Sequence, residues 1–322
     1  MLYLATDEGI VALDEDGGRD GLGITRIPFR AVSPHPRNSR WLVAASDEQG
    51  VFLWDGKEWQ AVLRGVAHSV AWRFDGTHVF AGLRGVHLFV SDNEGRAWEE
   101  IPAAHAAMKK PGVPDPHISG HPLDILSLLV VRRDLLYLGV EAGGLLRSRD
   151  GGRAFEPASN GLHPDIHSLS VDPRNPDIVY AATGHGLYKT IDGGDTWARS
   201  DQGIDQLYLA AAFVLPGEGD IVLATGAPDS PRRYNRPGGA RAAMFRSEDG
   251  GKRWVRVTGG LPESFEHEIT AFAADPGSGV RVIAGTLGGE VWESMNAGKS
   301  WQLTARGLPG IWGVTFVWTA AL

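Results

Sequence analysis

Seven apolar segments of this 322-residue chain open with side chains that could do chemistry. Their register comes from three shared endings: SPHPRN at 33–38, VDPRNP at 171–176 and ADPGSG at 274–279. On that register one column holds Arg30, His68, Leu126, His167, Tyr208, Thr270 and Trp312. The column before it is apolar almost throughout: Phe29, Ala67, Ile125, Ile166, Leu207, Ile269 and Ile311. Acidic residues stand just upstream, at Asp124, Asp165, Asp205 and Glu268. An arginine among aromatic faces such as Trp312 and Tyr234 suits a carboxylate or a sugar ring. Two carboxyls set roughly 5–10 Å apart across a substrate perform acid–base glycoside hydrolysis, and the four acidic residues supply candidate pairs. Tyr208, with Asp205 or Glu268 as base, is a candidate nucleophile. His68 and His167 beside a carboxylate are ligand types for zinc, nickel or iron. No H-x-H or HExxH spacing accompanies them, so neither a metal nor a cofactor is expected. The plain alternative is that all these groups are strand-start residues bonded to nearby loops. The contrast between the polar column and the apolar one favours ligand binding by Arg30, His68, His167, Tyr208, Thr270 and Trp312.

The elements that must position these residues are short strands. Seven segments read as strand, tight turn and strand, starting at Leu2, Trp41, His78, Leu135, Ile178, Ile221 and Arg281. Starts spaced roughly 40 to 60 residues apart fit a four-stranded propeller blade with insertions. The apolar segments at 29–34, 68–73, 126–131, 167–172, 208–213 and 270–275 are the expected innermost strands of blades two to seven. Blade one lacks its own, and WGVTFVWTAAL at 312–322 is expected to supply it, closing the ring and removing a free sheet edge. The expectation is an all-β, seven-bladed propeller of four-stranded antiparallel blades. It forms a single domain over 1–322, with blade one shared between 1–28 and 311–322. Only 103–109 could make a helical turn. Two insertions, 101–124 and 227–242, break the spacing and are expected on one face, where loops carry function.

A turn motif recurs: SDNEGRAW (91–98), SRDGGRAF (148–155), TIDGGDTW (190–197), SEDGGKRW (247–254) and SMNAGKSW (294–301). The Asp or Asn side chain accepts turn N–H groups, and the glycine takes a backbone shape closed to other residues. The aromatic residue anchors the returning strand. The pattern resembles the Asp-box, or BNR, repeat of sialidases, Vps10-type receptors, tandem-propeller xyloglucanases and photosystem assembly factors. The resemblance implies the propeller fold but no single activity, since the group includes hydrolases and pure binding proteins. TRIPF (25–29) is similar to the Arg-Ile-Pro motif of sialidases and points to Arg26 as a substrate arginine, whereas the strand register points to Arg30. A sialidase needs three arginines on one carboxylate. The remaining candidates, Arg84, Arg232, Arg233, Arg236 and Arg241, lie in turns without a matching motif. Xyloglucanase-like enzymes form their cleft between two propellers, and one is expected here.

The net charge of −8 argues against non-specific binding to nucleic acid or anionic membrane. The absence of cysteine excludes disulfides and thiolate chemistry. MLYLATDEGI enters a strand pattern without a signal-peptide layout, which makes a cytoplasmic protein the expectation. Taken together, the residues favour a binding module whose pocket, at the loop-crowned mouth of the channel, takes a small molecule, a glycan or a peptide. A sialidase-like or carboxylate-pair glycoside hydrolase is the alternative. A protein-assembly scaffold with a protein partner is a third reading, marked by an exposed apolar patch of several hundred Å².

Overall fold

The computed structural model describes residues 1–14, 18–20, 22–113, 123–217, 220–234 and 237–316. The chain forms seven four-stranded antiparallel sheets, the blades of a seven-bladed β-propeller. The first strands of blades two to seven are Ala31–His35, Ala67–Trp72, Ile125–Val130, Ile166–Asp172, Tyr208–Val214 and Ile269–Ala274. Blade one takes its first strand from the far end of the sequence: Ile311–Phe316 pairs with Leu2–Thr6, followed by Gly9–Leu13 and Arg19–Asp20.

Burial explains the strand order. Second strands such as Val79–Leu83, Leu136–Val140 and Val282–Thr286 are buried at every position. The sequence there alternates weakly, because a strand covered on both faces needs apolar residues on both. Most fourth strands are short, as in Ala198–Arg199 with two exposed residues, while Trp59–Leu63 of blade two has five. Short outer strands offer little unpaired backbone for edge pairing.

Two compact units divide the chain: Met1–Ala158 with Trp312–Leu322, and Ser159–Ile311. In the first, Phe29 meets Phe52 edge-on at 5.4 Å, and Leu88, Ile125 and Leu138 form a second nucleus. In the second, Tyr180, Leu209 and Phe245 pack together, while Met244, Ile269 and Trp301 belong to a neighbouring cluster.

The five recurrent turns share one geometry. In blade four, Ser148 Oγ donates to Asp150 Oδ1 at 2.8 Å and accepts the Gly152 N–H at 2.8 Å. Asp150 Oδ1 also accepts the Ala154 N–H at 2.9 Å. The same bonds recur from Ser91, Thr190, Ser247 and Ser294. Hydrogen bonds from the turn hold the Asp150, Asp192 and Asp249 carboxyls below the usual range, which fits turn builders and not proton carriers.

The insertion at 101–124 begins with a helix, Pro102–Ala107, that buries Ala104 and Ala107 beside Leu88 and Ile125. Its remainder from 114 to 122, with His117 and His121, lies outside the described residues. The insertion at 227–242 joins the second and third strands of blade six and carries a single 3-10 turn, Pro231–Arg233. Among the described residues no helix is long and apolar enough to cross a membrane.

Candidate functional site

Each first strand from blade three to blade seven carries a bulge near its start, at Ala67/Ser69, Ile125/Ser127, Ile166/Ser168, Leu209/Ala211 and Ile269/Ala271. A bulge leaves one residue outside the ladder. The skipped residues are His68, Leu126, His167, Ala210 and Thr270. Blade six therefore departs from the register read in the sequence. Leu209, not Leu207, is its fully buried residue, and Tyr208 stands one place upstream, level with Asp165 and Glu268. The apolar stretch LYLAAAFV offers several in-phase registers, and only pairing with Val222–Ala227 selects one.

The carbonyl before a bulge needs a donor from elsewhere, because buried backbone acceptors are rarely left unpaired. The preceding blade provides it. Ser69 Oγ donates to the Ile125 carbonyl at 2.7 Å, His167 Nδ1 to that of Leu209 at 2.7 Å and Thr225 Oγ1 to that of Ile269 at 2.7 Å. Thr270 Oγ1 likewise donates to the carbonyl of Ile311, the first residue of its strand, at 2.5 Å. The Thr270 hydroxyl thus staples adjacent strands, and His167 keeps only Nε2 for other work.

In the first unit, the Arg30 guanidinium lies over the Trp312 ring, 3.6 Å from its centroid. Arg30 Nε donates to Asp47 Oδ2 at 2.6 Å, and Trp312 Nε1 donates to Asp7 Oδ1 at 2.7 Å. Arg30 Nη1 and Asp47 Oδ1 are buried without hydrogen-bond partners. His68 Nε2 lies 3.2 Å from Asp124 Oδ2, and Arg84 grips the same carboxylate through Nε and Nη2, both at 3.1 Å. Burial pushes the Asp124 carboxyl up, but His68 and Arg84 more than offset this and leave it below the usual range. Sequence reasoning missed Asp7, Asp47 and the role of Arg84. All three are the first residue after a second strand, so the antiparallel ladder returns them to the end where the first strands start.

In the second unit, Asp165, His167, Tyr208, Glu268 and Tyr234 come together. His167 Nε2 lies 3.4 Å from Asp165 Oδ2, and its ring centroid is 4.8 Å from that of Tyr208. Burial disfavours the charged imidazole, yet Asp165 and the Leu209 carbonyl raise its pKa overall. Tyr234, from the 227–242 insertion, donates to Glu268 Oε1 at 2.5 Å. Burial raises the Glu268 pKa, with the Tyr234 bond and the His167 charge opposing it. Burial and then Glu268 raise Tyr234. Asp205 does not join this group; it is exposed and 3.7 Å from Arg256.

The sialidase arginines are not assembled among the described residues. Arg26 is an exposed turn residue at φ 61°, Arg84 is held by Asp124 and Arg233 by Asp229, while Arg236 lies outside the described residues. No group of three or more His, Asp or Glu side chains among the described residues is arranged to hold a metal ion.

No protein-family model matches the chain. A xyloglucanase of Hypocrea jecorina (strain QM6a) is 26% identical over 160 residues, covering 42% of this chain and 18% of that protein. A GH74 enzyme of Niastella koreensis superposes with a TM-score of 0.65 at 16% identity, covering 85% of this chain and 45% of its own. YCF48 bound to D1 peptide gives 0.60 at 13% identity, with 87% and 82% covered. The chain thus spans less than half of the GH74 structure and most of YCF48. At such identities what the solved neighbours share with this chain is its fold.

Proposed function

We propose that this protein is a binding module whose ligand, a small molecule, a glycan or a peptide, docks where the first strands begin. One observation carries the reading: within each unit, the ionisable groups at the strand starts are already held by protein partners. Asp124 is gripped by Arg84, with His68 Nε2 3.2 Å away, Asp47 is held by Arg30, and Glu268 by Tyr234. Groups fixed in this way form a preorganised surface for recognition, with little freedom to exchange protons during turnover. The Arg30–Trp312 stack, with the Arg30 side chain 23% exposed, offers a joint cationic and aromatic surface for a carboxylate or a sugar.

The hydrolase alternative rests on a separate observation in the second unit. Burial raises the Glu268 pKa, and Asp165 Oδ2 lies 3.4 Å from His167 Nε2. A carboxyl raised by burial together with a second carboxyl beside an imidazole suits an acid–base pair. Fluorogenic glycosides, sialosides included, together with xyloglucan oligosaccharides and a peptide array, separate the readings. The expected result is saturable binding without turnover, weakened about tenfold or more by Arg30→Ala and by Trp312→Ala. Turnover abolished by Glu268→Gln would replace the binding reading with the hydrolase. Failure of the folded protein to bind any of these probes would overturn it.

A further inference from the structure

At the opposite end of the blade-six strands from Tyr208, an arginine has incomplete hydrogen bonding. Arg246, in the third strand Ala243–Ser247, is 8% exposed. Its Nε donates to the Ala297 carbonyl at 2.7 Å and its Nη1 to Glu248 Oε1 at 2.5 Å, while Nη2 is buried without a partner. Buried guanidinium donors are ordinarily satisfied, so the gap calls for an explanation.

The repeat supplies an internal standard. Arg147 holds the equivalent place in blade four, one residue before the serine of its turn, and is equally buried. Directly across from it stands Glu156, whose Oε1 takes Nε at 3.2 Å and Nη2 at 2.7 Å. Across from Arg246 stands Val255, 71% exposed and unable to accept a hydrogen bond. Blade six has the arginine but no carboxylate across the strand from it, and Glu248 takes only Nη1.

Arg246 borders a groove of about 740 Å³, formed by residues 254–259 with Gln202, Gly203 and Lys299. Arg246, Arg253, Arg256 and Lys299 along it outnumber Glu248 and Asp249. We propose that this groove binds a small carboxylate ligand, the exposed Val255 side chain across from Arg246 turning aside so that the carboxylate takes the buried Nη2 as the Glu156 side chain takes Arg147 in blade four. The volume falls within the roughly 300–1,000 Å³ typical of small-molecule sites, enough for a sugar acid.

Calorimetric titration at low salt with acetate, D-glucuronate and inorganic phosphate tests this. Saturable binding of the carboxylates is expected. Arg246→Lys keeps the charge but loses the fork, and should weaken binding about tenfold. Val255→Glu supplies the missing carboxylate from within and should abolish binding while leaving the melting temperature at or above that of wild type. Arg253→Ala removes an exposed cation and should change affinity by less than about twofold, unless bulk charge is responsible. Binding that survives Val255→Glu, the absence of saturable binding, or phosphate bound more tightly than either carboxylate would overturn the assignment.

Discussion

His167 shows how one side chain can serve structure and chemistry together. Its Nδ1–H completes the Leu209 carbonyl exposed by the bulge, and its Nε2 faces Asp165. Since the folded pKa is raised, its contribution to stability is complete below the unfolded value of about 6.5 and is lost as pH rises through the folded value. Glu268, also raised, acts in the same direction from about 4.5 upward. Asp124 is depressed, so its contribution is present above about 3.8 and fades as pH falls through its lower folded value. His78 and His163, both lowered by burial, act in the opposite sense over the same range. His167 is therefore seen as a difference: as pH rises from about 6.5, Asp165→Asn, which removes the carboxylate that holds the imidazolium, should lose less melting temperature than wild type. Parallel profiles for wild type and variant would refute the assignment. The residue types at the site were legible in the sequence. Their partners were not, because Arg30 meets Asp47 and Trp312 meets Asp7 across separations that no local spacing encodes.

At the scale of the element, the turns dictate where chains may touch. Gly260 has φ +75°, and a Cβ there would sit 1.9 Å from the Trp301 carbonyl oxygen. Gly161 and Gly203 make the same approach to Trp197 and Trp254. Gly260→Ala combines an unfavourable backbone angle with a clash against rigid backbone and should cost about 2–4 kcal/mol in denaturant unfolding. Gly217→Ala, at φ +85° but with open space around it, should cost about 1 kcal/mol. Equal losses would mean that the close approach is unimportant. The turn motif was visible as Ser/Thr-x-Asp/Asn-x-Gly-x-x-aromatic, and the roles of its acid and glycine followed from their chemistry. The hydroxyl's double role, as donor to the acid and acceptor from the glycine N–H, appears only in the folded turn.

For the whole molecule, the decisive connection is Ile311–Phe316 against Leu2–Thr6, which completes blade one from the two distant parts of the sequence. Removing residues 312–322 should leave Leu2–Thr6 as an unpaired edge and take away the ring on which Arg30 rests. A lower melting temperature and concentration-dependent self-association in size-exclusion chromatography are expected; a monomer of unchanged stability would refute this role. The amino-acid sequence by itself determined the number of blades, the strand at each blade's start and the chain-end pairing. Those features repeat, and repetition makes even weak local patterns add up. It also identified polar residues such as Arg30 and His167 close to the starts of first strands. Tertiary structure alone decided the register of blade six, since LYLAAAFV at 207–214 is apolar at nearly every position and carries no polar alternation to fix its phase. It alone decided which of the gathered groups hold one another, and that Arg246 faces a valine where Arg147 faces a glutamate. The physical reason is the same throughout: backbone preferences act over a few residues, whereas an ion pair, a stapled carbonyl or an unsatisfied guanidinium depends on segments brought together only by packing.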